Sequence, residues 1–474
     1  MLPLLANSQI RTSLRRSSIS VPYSQHLKAS LVLMPIPPRG WERSADSGGI
    51  VSVILSATLA ANEDIVRRRR AGHHILNLAF GEAGLPVHPA LRSRLSEASG
   101  VNGYGQVAGS AALREAAAGY WARRGLPTDP DLVVCGPGSK ALLFGLLLAL
   151  GGDIVLPMPS WVSYAAQAEI VGVRPIMIPP PPGEGGVPDP RLLARAVTLA
   201  RARGRTVRSV LVTLPDNPTG RLARPETVRR VAEVARELDL TVISDEIYRD
   251  LVHDPAAAYA SPAEFAPERT VITTGLSKSL ALGGWRTGAA RLAEPALRDR
   301  LLALASEIWS SPAAPVQHAA AYAFNEPAEL VRRVADSRRL HGIVARAVAD
   351  RFVRAGARVH APQGGFYLYP EISAFGSSTE LASELIENHG VAVLPGTAFG
   401  DRAHIPRVRV ATSLLYGESA EQRLAALHAD DPVRLPWIAA SLNHLEAALA
   451  ALRPGEGAET EVRRHEETVA ATPI

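Results

Sequence analysis

The stretch VITTGLSKSLALGGWRTG, Val271 to Gly288, decides the reading of this chain. Its opening residues, Val271 to Thr274, form an apolar, β-branched run that stops at Gly275, the pattern of a buried strand ending in a small-residue loop. Lys278 stands in that loop between Ser277 and Ser279, and Arg286 follows eight residues later inside GGWRTG. The lysine matters because the chain has so few: of 51 basic side chains only Lys28, Lys140 and Lys278 are lysines. Arginine serves wherever a bare positive charge is enough. A primary amine can lose its proton and condense with a carbonyl, which an always-charged guanidinium cannot do. Lys28 lies in an irregular N-terminal stretch, whereas Lys278 stands where a buried strand ends in a small-residue loop, a place for a site.

The whole chain has 474 residues, 47% hydrophobic and 20% charged, enough for two domains with cores of their own. The longest apolar run, Ala141 to Leu150, is too short to cross a bilayer and predicts a buried helix. The single cysteine, Cys135, excludes a disulfide framework, and no Cys/His cluster has metal-ligand spacing, so a reducing cytoplasm and no metal are expected. A net charge of +5 from 51 basic and 46 acidic residues is a mixed surface rather than a nucleic-acid stripe. The basic run Arg67 to Arg70 closes a helical pattern through Leu55, Leu59 and Ile65 and reads as a solvated helix face. Residues 1–45 carry no acidic side chain before Glu42 and break at Pro35 to Pro38; they read as a disordered or irregular extension, and residues 454–474 as a loose tail.

Between these ends, short β-branched runs alternate with helical stretches, which predicts an α/β fold with a mostly parallel sheet. The runs are Leu132–Val134, Ile154–Leu156, Arg174–Ile178, Ser209–Leu214, Thr241–Ser244, Val271–Thr274 and Thr287–Leu292. In such a sheet ligands collect at the carboxyl ends of the strands, and the remaining motifs fall there. Gly136-Pro137-Gly138-Ser139-Lys140 joins a strand to the apolar helix, an arrangement that turns backbone N–H groups toward an anion or simply makes a tight turn. Trp161, in Pro159 to Tyr164, offers either a π-face to a ligand or a filler for the core. Asn217 lies in the turn Asp216-Asn217-Pro218-Thr219-Gly220. Asp245 and Tyr248 follow the next strand, where Asp245 would also serve as a helix cap. Further on stand Gly364 to Tyr367, Leu394 to Gly400, and the alternating strand Arg407-Val408-Arg409-Val410-Ala411, whose arginines share one face.

In their order and spacing these motifs resemble the pyridoxal-phosphate aminotransferases of classes I and II, the aspartate aminotransferase superfamily of fold type I, over roughly residues 46 to 453. The resemblance implies a seven-stranded, mostly parallel sheet in a large domain (97–325) and a second, smaller α/β domain built from residues 46–96 and 326–453. It implies pyridoxal 5'-phosphate carried by Lys278 as an imine. Gly138, Ser139 and Arg286 would hold its phosphate and Ser277 would contact the cofactor, with Lys140 either beside that phosphate or at the surface. Trp161 would stack on the ring, Asp245 would pair with the ring nitrogen, and Asn217 and Tyr248 would meet the phenolic oxygen. Tyr104, in Asn102-Gly103-Tyr104-Gly105, would reach the phosphate of the other subunit of a homodimer. Gly81, Trp161, Asn217 and Arg407 would contact substrate, Arg407 through its carboxylate. Two positions depart from the family pattern, Thr287 and Gly275, and neither removes a catalytic group.

The activity implied is amino-group transfer between an amino acid and a 2-oxo acid; elimination, aldol-type cleavage or oxidation at the same site is the alternative. A sensor with an N-terminal DNA-binding module does not fit, because about 45 proline-interrupted residues show no helix-turn-helix pattern. Relatives that take dicarboxylates place a second cation at the positions of Ser306 or Ser139, so a neutral or polar donor is expected here, unless Arg409 reaches the distal carboxylate. Leu415 to Arg434 reads as an insertion before the last helix.

Overall fold

The computed structural model describes residues 55–452; the expected extension 1–45 and tail 454–474 lie outside the described residues. Helix α1 (Ala57–Arg70) and the short strand β1 (Leu76–Asn77) precede α2 (Pro89–Glu97) and α3 (Ala111–Ala122). Strands and helices then alternate as β2 (Val133–Gly136), α4 (Ser139–Leu150), β3 (Asp153–Pro157), α5 (Val162–Ile170), β4 (Pro175–Ile178), α6 (Pro190–Ala202), β5 (Val207–Thr213), α7 (Pro225–Glu237) and β6 (Thr241–Asp245). Next come β7 (Thr270–Gly275), the one-turn α8 (Leu276–Ser279), β8 (Gly288–Arg291), α9 (Pro295–Ile308), α10 (Ala314–Phe324) and α11 (Ala328–Arg354). The chain closes with β9 (Tyr367–Leu368), α12 (Ser378–His389), β10 (Val391–Ala392), β11 (Leu394–Pro395), β12 (Val408–Ala411), α13 (Ala420–His428) and α14 (Pro436–Ala451).

The seven expected strands form one sheet in the order β2-β8-β7-β6-β5-β3-β4. Only β8 runs against the others, pairing antiparallel with β2 and β7. A sheet covered on both faces needs apolar side chains on both, which is why these strands read as unbroken β-branched runs. Successive residues alternate between the two layers: Val210, Val212 and Val242 face α6 and α7, whereas Leu211 and Ile243 pack with Leu142 and Leu146 of α4 and Leu301 of α9. Helix α6 starts where the sequence dictates, with Asp189 accepting from the N–H groups of Arg191 and Leu192 and Pro190 in the first turn.

The smaller layer joins β11, β12 and β9, with β1 paired parallel to β10. Its core holds Leu340 and Val344 of α11, Leu381 and Leu385 of α12, and Leu442 and Leu445 of α14. The segment expected to belong wholly to this part divides in two: β1 pairs here, whereas α2 places Leu91 in the core of the large layer with Leu113 and Val133. Nor is Leu415 to Arg434 an appendage. Leu415, Tyr416, Ala426 and Leu427 are buried in the small-layer core, and Arg339 of α11 donates to the carbonyls of Leu427 and Ala429, both at 2.8 Å. Among the described residues, no helix is long and apolar enough to cross a membrane, and no group of His, Cys, Asp and Glu is placed to hold a metal ion.

Candidate active site

A cavity of about 510 Å³ opens at the carboxyl ends of β5, β6 and β7 and is walled by Lys278, Asp245, Asn217 and Tyr248. β7 is buried along its whole length and delivers the chain straight into α8, so Lys278 stands one short turn past the sheet. Its Nζ donates to the Gly81 carbonyl at 2.6 Å. Asp245 ends β6 and is buried; Tyr164 Oη donates to its Oδ2 at 2.8 Å and the Ile247 N–H to its Oδ1 at 3.3 Å. Burial pushes the Asp245 carboxyl up to about 6.

The opposite end of the cavity is cationic. Ser139 and Lys140 begin α4, and with Ser277 and Arg286 they line the wall. Gly138 sits at φ +86, where a Cβ would come within 2.7 Å of Arg286 Nη2; glycine alone lets the turn and the guanidinium approach this closely. Arg286 is itself left-handed at φ 52 and donates to the carbonyls of Gly283 (3.0 Å) and Pro137 (3.2 Å). Lys140 Nζ lies 5.0 Å from the centre of the Trp161 ring. Burial, then Arg286 and Lys278, hold the Lys140 pKa below its usual value. Among the described residues, none of these three cations has an ion-pair partner.

Gly138 is the floor of this wall, and Gly81, Ser139, Lys140, Trp161, Asn217, Asp245, Tyr248, Ser277, Lys278 and Arg286 all line the cavity. Tyr104 does not; it stands 94% exposed. Arg407 is a correction: it bonds Glu371 Oε2 at 2.9 Å and approaches Asp401 Oδ2 at 3.6 Å, outside the cavity. Arg409 occupies the wall instead, fully buried, with its guanidinium 4.9 Å from the ring centres of both Tyr367 and Phe399. It donates to Asn217 Oδ1 at 3.3 Å and to the Ala79 carbonyl at 2.5 Å, and its Nε is left without a partner. The two arginines share a strand face, so alternation alone could not say which one lies deep. Ser56, Thr58 and Leu59 at the start of α1, with Phe80, Tyr164 and Tyr367, also line the cavity, and the sequence assigns none of them a site role. Nothing in the pattern around α1 signals a site; Tyr367 stood in a motif already noted, without a role.

The family model for aminotransferase class I and II matches residues 73–415. The chain belongs to the class I and II aminotransferases. It is 32% identical over 382 residues to a probable aspartate/prephenate aminotransferase of Thermus aquaticus, covering 79% of this chain and 97% of that one. It is 33% identical over 393 residues to an aspartate aminotransferase of Geobacillus stearothermophilus, covering 79% and 96%. Among solved structures it matches an aspartate aminotransferase from Thermus thermophilus with maleate at a TM-score of 0.73 and 28% identity, over 86% of this chain and all of that one. The protein is therefore a pyridoxal-phosphate-dependent aminotransferase of fold type I that moves an amino group between an amino acid and a 2-oxo acid. The aminotransferase cavity suits that cofactor chemically. It offers an unpaired cationic wall over a glycine floor for a phosphate, a buried carboxyl for a ring nitrogen, and a primary amine.

Proposed function

We propose that Ser139, Ser277 and Arg286, over Gly138, hold the cofactor phosphate, that Asp245 pairs with the ring nitrogen, that Asn217 and Tyr248 face the phenolic oxygen, and that Trp161 covers the ring. When bound, the cofactor supplies an electron sink that makes the substrate α-proton removable. Lys278 Nζ takes and returns that proton as general acid–base. Asp245 is neutral or charged according to its partner: burial alone raises its pKa, and a cation placed against it restores the carboxylate. Arg409 grips the substrate α-carboxylate. Its free Nε in a buried setting is a donor lacking an acceptor, which a carboxylate supplies.

The observation that carries this reading is the company Lys278 keeps: an amine one short turn past β7, in one cavity with an unpaired cationic wall and a buried acid. Loading the purified protein with pyridoxal phosphate should give a visible absorbance band that Lys278→Ala abolishes while circular dichroism stays unchanged; a band that survives the substitution rules the assignment out.

For the amino donor, the expectation of a pocket without a distal cation rested on Ser139 and Ser306. Ser306 is exposed and outside the lining, but Lys140 lines the cavity with no carboxylate partner among the described residues. Arg409, the alternative reader named from sequence, is used for the α-carboxylate. The relatives named above are described as aspartate or aspartate/prephenate aminotransferases. We therefore read a dicarboxylic donor as accepted, with Lys140 as its distal partner. Lys140→Ala should lower kcat/KM for aspartate by about tenfold or more and leave a neutral donor within about threefold, since a charged hydrogen bond contributes roughly 1.5–3 kcal/mol. Equal losses for both donors would place Lys140 on the cofactor side only. A cytoplasmic homodimer with Tyr104 reaching the partner's site completes the proposal; exposure of Tyr104 supports it.

A further inference from the structure

Tyr367 is buried on β9, and its hydroxyl stands 2.9 Å from that of Tyr248. Either oxygen has the geometry to donate, so the direction of this bond depends on what else each one touches. The other acceptor near Tyr367 Oη is the Gly81 carbonyl, at 3.4 Å. That is long for an O–H···O bond, which prefers roughly 2.5–3.0 Å, and the same carbonyl already receives Lys278 Nζ at 2.6 Å. The Tyr248 oxygen, at 2.9 Å, is thus the better-placed acceptor for the Tyr367 proton. The Tyr248 hydroxyl has no other hydrogen-bond partner among the described residues and lines the cavity, which leaves its own proton free for a group bound there. Burial, with Tyr367 beside it, raises the Tyr248 pKa well above that of a free phenol, so that proton stays in place.

We infer that Tyr367 is a positioning residue that fixes Tyr248 as a hydrogen-bond donor toward the cofactor; this rests on the reading above that Tyr248 faces the phenolic oxygen. The contact is built in from both sides. A Cβ on Gly81 would fall 2.2 Å from Tyr367 Oη, so the segment that caps Lys278 is cut back to glycine where the hydroxyl enters. Register does the rest: Tyr367 pairs with Ala411 on β12, two residues past Arg409, which brings its ring against the Arg409 guanidinium. One side chain thus touches the groups proposed to hold the phenolic oxygen, the resting amine and the substrate carboxylate.

The test uses pyridoxal-phosphate-loaded wild type, Tyr367→Phe, Tyr248→Phe and the double variant. It reads the pH midpoint of the visible-band titration, kcat, and the Kd for hydrocinnamate, an unreactive carboxylate. Removing the Tyr367 hydroxyl weakens donation to a deprotonated phenolic oxygen. The midpoint should rise by about half a pH unit to one unit, and kcat should fall about three- to tenfold, the effect of one ordinary hydrogen bond. Phenylalanine keeps the ring against Arg409, so Kd should stay within about twofold. In the Tyr248→Phe background the further change to Phe at 367 should move neither midpoint nor kcat. An unmoved midpoint in Tyr367→Phe, an equal shift with and without Tyr248, or a loss of carboxylate affinity matching the loss of kcat overturns the inference. A wild-type protein with no visible band fails differently, because it overturns the reading of the cavity itself.

Discussion

Asp245 shows what burying a carboxyl does to the stability of its own protein. Its folded pKa of about 6 lies above the ordinary 3.8, so the native state binds more protons than the unfolded chain between these values. Stability without cofactor therefore falls as pH rises through that window, and above pH 6 the loss amounts to about 3 kcal/mol. Cofactor-free Asp245→Asn should match the parent in urea unfolding near pH 4 and exceed it near pH 8. Equal stabilities at pH 8 would mean that Tyr164 and the Ile247 N–H already compensate the charge. Residue types were readable from sequence here: an amine among arginines, an acid after a strand, an asparagine in a turn. Depth was not. Arg407 and Arg409 alternate on one face with the same chemistry, and what separates them is Glu371 and Asp401, which reach Arg407 from elsewhere in the chain.

At the scale of elements, the sheet was legible because its strands are buried on both faces and must be apolar throughout, a signal contained within each run. Strands of two residues, such as β1 and β10, are below any periodicity and exist because their neighbours hold them. The start of α1 enters the cavity by tertiary placement, which no local pattern encodes. The stretch from Leu415 to Arg434 reads differently from sequence because charged residues are interleaved with its apolar ones, of which Leu415, Tyr416, Ala426 and Leu427 turn inward while Leu424 faces out. Leu427→Ala should therefore lower the unfolding free energy by about 2–5 kcal/mol, whereas Leu424→Ala, on the exposed side of the same helix, should change it by no more than about 1 kcal/mol. Similar effects of the two substitutions in chemical denaturation would return α13 to the status of an insertion.

For the molecule as a whole, a tyrosine as exposed as Tyr104 makes sense when another subunit covers it. If each site takes Lys278 from one chain and Tyr104 from the other, mixing inactive Lys278→Ala subunits with impaired Tyr104→Phe subunits gives hybrids with both lesions in one site and none in the other. Activity should reappear on mixing; none, with subunit exchange confirmed by mass, would leave Tyr104 outside the site. The antiparallel β8 carries a further consequence, for synthesis on the ribosome. Within the large sheet β2 pairs with β8 alone, and Gly275, the residue that launches the α8 turn, pairs with Gly288. A nascent chain ending before Gly288 thus holds β2 with both edges open, the state most prone to mispairing, and has nothing flanking β7 on the side that β8 will fill. Lys278 thus emerges before the strand that pairs with Gly275 at the root of its turn, and that pairing waits until Gly288 has been made.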